Sequence, residues 1–124
     1  MRKSILALAA TAGLLAAGPA LAHPRLLSTS PAANGAAKAP RNVQLTFSEG
    51  LMPQFSGAEL ALTSMPGMSM KTMQVPVKAA LGAGGKSLVL TPARALVPGT
   101  YRLDWHVVSR DTHRVKGSYS FRVG

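Results

Sequence analysis

Apolar and polar residues alternate with a period of two in several short stretches of the chain. Val43, Leu45 and Phe47 form one such set, Leu60 and Leu62 a second, and Leu88 and Leu90 a third. The alternation is clearest near the end, where Tyr101, Leu103, Trp105 and Val107 fall on one face and Arg102, Asp104, His106 and Val108 on the other. Tyr119, Phe121 and Val123 repeat it. This is the mark of a half-buried strand, and no 3.6-residue periodicity of comparable length competes with it. Turn formers separate the runs: Pro31 to Pro40 with Asn34-Gly35, then Gly82 to Gly85, Pro92 and Pro98-Gly99. Short strands with frequent punctuation predict an all-β domain, an immunoglobulin-like β-sandwich or barrel of about seven strands. Trp105 and Tyr101 share the parity of Leu103 and Val107, which assigns them to the core and not to a binding face.

Residues 1–22 stand apart from this pattern. Arg2 and Lys3 precede an apolar run from Ile5 to Ala17, and Ala20-Leu21-Ala22 ends the segment on small residues. That is the form of a cleaved secretory signal peptide. Its apolar run is shorter than the roughly 18 residues of a spanning helix. Cleavage leaves residues 23–124, the size of one domain, exported to the periplasm as a soluble protein. The chain has no cysteine, so neither a disulfide nor a thiolate ligand is available to it.

The net charge is +10, of which the leader carries Arg2 and Lys3; the remainder is strongly basic with only Glu49, Glu59, Asp104 and Asp111 opposing it. Export and the scatter of the basic residues argue against nucleic acid. An anionic membrane surface or an acidic partner protein suits the charge better, and solubility alone is the plain alternative.

Cleavage after Ala22 makes His23 the first residue, so one side chain and one free α-amine can chelate a single metal ion. Pro24 follows and has no amide N–H to deprotonate, so further ligands come from elsewhere in the fold. Ser109-Arg110-Asp111-Thr112-His113 lies just past a predicted strand. If extended, it would point Asp111 and His113 the same way. Two imidazoles, an amine and a carboxylate suit tetragonal Cu(II), although zinc accepts the same donors. Met65, Met68, Met70 and Met73 are four of the six methionines, gathered in a segment with Pro66, Gly67 and polar residues that predict an exposed loop. Thioethers are soft ligands that favour Cu(I) and persist in an oxidising compartment, whereas the plainer use of such a cluster is adaptable packing.

Along essentially its whole mature length the chain resembles the CopC and PcoC copper-resistance proteins. The resemblance rests on His23-Pro24, Phe47-Ser48-Glu49, Phe55-Ser56-Gly57-Ala58, Met65-Pro66-Gly67-Met68, Pro98-Gly99-Thr100-Tyr101, Asp104-Trp105, Val108-Ser109 and Asp111-Thr112-His113, in that order. It implies a cupredoxin-sized Greek-key β-sandwich with Cu(II) held by His23 through its imidazole and amine, by Asp111 and by His113. It also implies a separate Cu(I) site to which Met65, Met68 and Met73 correspond. There the family's loop histidine is replaced by Met70, and an upstream thioether position reads Leu62, so this chain is expected to offer an all-methionine set. His106 and Arg114 stand where relatives often show arginine and proline, and His106 is assigned no metal role.

The function so implied is copper sequestration, trafficking and resistance, with delivery to an inner-membrane partner resembling CopD and with no catalytic step. A monomer is expected, with a copper-bridged dimer as the alternative. Two other functions share parts of the pattern. An amino-terminal histidine with a second histidine also forms the copper brace of lytic polysaccharide monooxygenases, and a β-sandwich can serve as a metal-free interaction module.

Overall fold

The computed structural model describes residues 23–124; the leader predicted for residues 1–22 lies outside the described residues. Nine strands form two sheets, with no α-helix among the described residues. The strands are β1 (Leu26–Ser30), β2 (Ala36–Ala37), β3 (Val43–Phe47), β4 (Gly57–Ser64), β5 (Met73–Val75), β6 (Val77–Leu81), β7 (Ser87–Pro92), β8 (Gly99–Val108) and β9 (Arg114–Val123). One sheet has the order β1-β3-β7-β6 and the other β2-β9-β8-β4-β5. Every pairing is antiparallel except that of β2 with β9. The chain passes repeatedly from one sheet to the other, and the sheets stay open instead of closing into a barrel.

The core follows the alternation. Val43, Leu45, Phe47, Leu60, Leu62, Leu88, Leu90, Tyr101, Leu103, Trp105, Val107, Phe121 and Val123 are all buried, each large apolar side chain contributing about 1.5–3 kcal/mol by leaving water. Trp105 meets Phe47 of the opposite sheet edge to face, ring centroids 5.2 Å apart, and Tyr101 stacks on Phe121 at 5.6 Å. Both aromatics are therefore packing residues, as their parity predicts. Two of the nine strands, β2 and β5, have two and three residues. Runs that short carry no readable alternation, which is why the pattern predicts about seven.

The longest strands, β8 and β9, pair over their full ten residues from Gly99↔Val123 to Val108↔Arg114. The hairpin loop Ser109–His113 thus sits at one end of the sandwich. The segment between β4 and β5, which carries Met65, Met68 and Met70, sits at the other, because Ser64 pairs with Thr100 at the start of β8. A ten-residue strand separates the two ends by about 30 Å.

Candidate metal centre

At the hairpin end, the residues predicted to act together meet. The rings of His23 and His113 stand edge to face with centroids 4.8 Å apart and an interplanar angle of 79°. Asp111 Oδ1 lies 3.1 Å from His113 Nδ1. That contact lacks the alignment of a hydrogen bond, so His113 Nδ1 is buried without a hydrogen-bond partner. A buried ring nitrogen without a hydrogen-bond partner is an atom that metal ligation would satisfy. The donors are gathered but not closed: among the described residues no three His, Asp or Glu side chains surround a common point.

The backbone accounts for this meeting. Pro24 is fully buried and anchors the start of the described chain. The Arg25 N–H donates to Ser48 Oγ at 2.9 Å, and the Ser48 N–H donates to the Arg25 carbonyl at 2.9 Å. His23 is thereby tied to the loop after β3. That loop is stitched in turn to the hairpin end: the Met52 N–H donates to the Val108 carbonyl at 2.8 Å, the Arg110 N–H to the Gly50 carbonyl at 3.0 Å, and the Val108 N–H to Ser56 Oγ at 3.1 Å.

The hairpin itself is not extended. Thr112 adopts φ 71°, and its N–H donates to the Ser109 carbonyl at 2.8 Å. Asp111 and His113 come together through a turn and not through the same-face geometry of a strand. Ser109 organises the turn. It is 1% exposed, its Oγ accepts from the His113 N–H at 3.2 Å, and its hydroxyl donates to Asp111. That hydroxyl first, and His113 second, hold the Asp111 carboxyl below the usual carboxylate range. The acid is an ionised oxygen donor at neutral pH.

Arg110 supplies a second brace. Its guanidinium lies across two glycines of neighbouring loops. A Cβ at Gly50 would meet Nε at 2.9 Å, and one at Gly85, where φ is +73°, would meet an Nη at the same distance. Gly85 also needs its glycine for that positive φ. Sequence reasoning assigned no role to Ser48, Ser109, Arg110 or Gly50. Phe47-Ser48 and Val108-Ser109 were visible as motifs, but nothing in periodicity says which hydroxyl caps which loop.

At the opposite end the methionines divide. Met65 and Met70 are half-buried and pack against the core, whereas Met68 and Met73 are each 58% exposed. A tight turn links Met65 to Met68, whose N–H donates to the Met65 carbonyl at 3.1 Å. Met73 sits on β5 directly opposite Leu62, which is buried. The loop predicted to be exposed is therefore only partly so. His106 is exposed on β8 and pairs in register with Lys116.

Two open sheets with nitrogen and oxygen side chains of distant sequence origin gathered at one end, and thioethers at the other, define a small β-sandwich domain with candidate ligands at both ends. The CopC domain family matches residues 26–124, beginning just after His23. Copper resistance protein C of Xanthomonas campestris pv. juglandis is 54% identical over 112 residues, covering 90% of this chain and 88% of that protein. Copper resistance protein C of Escherichia coli is 50% identical over 105 residues, covering 84% and 83%. Among solved structures, PcoC, a methionine-rich copper resistance protein from Escherichia coli, aligns with a TM-score of 0.76 at 48% identity, covering 83% of this chain and all of that one. CopC from Methylosinus trichosporium OB3b aligns with a TM-score of 0.65 at 30% identity, covering 82% and 93%. The chain belongs to the CopC family of copper-resistance proteins.

Proposed function

We propose that the mature protein begins at His23 and carries copper in the periplasm, binding one Cu(II) through the His23 amine and imidazole, Asp111 and His113. The observation that carries this reading is the 4.8 Å approach of His23 to His113, residues from opposite ends of the chain. Copper draws the gathered donors inward, and the unpartnered Nδ1 of His113 becomes a ligand or turns to present its ring. Three nitrogens and a carboxylate match tetragonal Cu(II).

A second, soft site takes Cu(I) through Met65, Met68, Met70 and Met73. Copper is cargo here, bound and released without catalysis. Release goes to an inner-membrane protein resembling CopD, and the basic surface favours that encounter. Among the described residues no helix is long and apolar enough to cross a membrane.

The deciding experiment is Cu(II) titration with electron paramagnetic resonance on protein processed to His23, beside a form with one residue added before it. The processed form is expected to show one tight, tetragonal, nitrogen-rich site that the extended form lacks. Equal binding by both forms would remove the terminal chelate from the proposal.

A further inference from the structure

The outer face of β8 and β9 carries a groove of about 750 Å³ that the copper donors do not use. Met52 and Phe55 line it with apolar surface, and His106, Arg114 and Lys116 supply its basic side chains. Thr112 also lines it, so the groove begins at the hairpin that holds Asp111 and His113.

Two properties of this patch suit it to docking. First, Phe55 is 55% exposed on a short 3-10 turn, Pro53–Phe55, where it adds nothing to the core. A large aromatic held in solvent beside a site is what a partner covers. Second, no carboxylate lines the groove beside its cations. Arg114 and Lys116 take part in no ion pair, which holds for most basic residues among the described residues; Arg102 pairs with Asp104. Farther along the same face, a second hollow places Glu59 and Asp104 beside Arg102, His106 and Lys116. The imidazole of His106 forms the groove's wall by lying on Gly57, where a Cβ would meet its Cε1 at 3.3 Å.

We infer that this groove docks an acidic polypeptide segment bearing an aliphatic or aromatic side chain, contributed by the protein that exchanges copper with the hairpin site. Its function rests on the Cu(II) reading above, although docking itself needs no metal. Transfer by ligand exchange requires the acceptor's donors to reach the ion while the first donors still hold it, so the docking surface must adjoin the hairpin. The groove does so, with apolar surface for one apolar side chain and cations for the carboxylates flanking it. Strand β8 lies inside its sheet, and β2 covers the edge of β9 only at Arg122 and Val123; the segment proposed here sits across the face, between the short turn and the two strands.

The test uses metal-free, ¹⁵N-labelled protein beginning at His23 and a capped hexapeptide with four carboxylates around a Leu-Phe pair. Amide shifts are expected to cluster at Phe55, His106, Arg114 and Lys116. Phe55→Ala and Lys116→Glu should each weaken binding about fivefold or more, while Lys78→Glu on the other sheet changes it by no more than about twofold. The amide version of the peptide should not bind. Shifts spread over all basic residues, or equal weakening by Lys78→Glu and Lys116→Glu, would mean attraction by net charge alone and overturn the proposal. So would an absence of clustered shifts with the peptide alongside Lys116-dependent binding to vesicles containing phosphatidylglycerol, which would assign the face to a membrane surface. Cu(II) titration of the same variants should be unchanged. If the chelate fails while the peptide still docks at the groove, copper binding is what must be revised, and the converse result removes the groove alone.

Discussion

The two ends of the sandwich treat their candidate ligands in opposite ways. At the hairpin end, a buried proline, Ser48, Ser109 and a ladder of loop-to-loop hydrogen bonds fix the backbone around His23, Asp111 and His113. At the methionine end, a single turn joins Met65 to Met68, and half of the thioethers stand in solvent. The difference matches the two oxidation states proposed for the cargo. Cu(II) favours a tetragonal set of nitrogen and oxygen donors, and such a set forms only where the fold holds it. Thioethers on flexible stems adapt to Cu(I), so a looser loop suffices. The lesson is that donor chemistry sets how much scaffold a site requires.

The sharpest way to break the comparison is at the chain start. Adding one residue before His23 is expected to lower Cu(II) affinity by at least about a hundredfold, since loss of an outer-shell partner alone costs about 10–100-fold. Cu(I) binding, followed with a chromogenic Cu(I) chelator, should not change. Next in size is the strand that joins the two ends. Leu103→Ala in the middle of β8 should cost about 2–5 kcal/mol of stability. In urea unfolding followed by Trp105 fluorescence, both sites should then be lost in one transition; separate transitions would mean that the two ends fold independently.

Ser109→Ala sharpens the contrast within the hairpin. It leaves every ligand in place but frees Asp111, and Cu(II) affinity is expected to fall about 10–100-fold with a changed paramagnetic resonance spectrum. The fold should be retained. Acidification gives a smaller, graded separation. Protons compete with copper for amine and imidazole nitrogen, whereas a thioether has no proton to lose. The lowered pKa of Asp111 keeps it ionised well below neutrality, and its own contribution is lost only as pH falls through that depressed value. A decline in Cu(II) affinity between about pH 7 and 5 therefore belongs to the nitrogen donors. Cu(I) affinity should stay level over that range, and a parallel decline would require an imidazole at the methionine end.

The smallest effect expected is on stability at the loose end. Met68 is exposed, so Met68→Ser should shift the folding free energy by no more than about 0.5 kcal/mol. Cu(I) affinity should nevertheless drop severalfold. A large loss of stability instead would assign Met68 to packing.

Much of this molecule is legible in its sequence. Tyr101, Leu103, Trp105 and Val107 announce β8 and its buried face, because a pleated strand enforces a period of two on any chain with one wet side. His23, Asp111 and His113 stand out as donors by residue type, and the methionine cluster by density. The sequence does not show β2 and β5, too short for any period, or the division of the methionines into half-buried and exposed pairs. Nor does it show that Asp111 and His113 meet through a turn with Thr112 at positive φ.

Residue type and alternation are local properties, and they determined the strands, the core and the candidate ligands. The approach of residue 23 to residue 113 is not local. It depends on β1 pairing with β3, on the β3–β4 loop bonding to the end of β8, and on Ser48 and Ser109 directing hydroxyls at particular atoms. Only the folded chain decides those distances, because they are set by the packing of two sheets and not by the order of residues within either one.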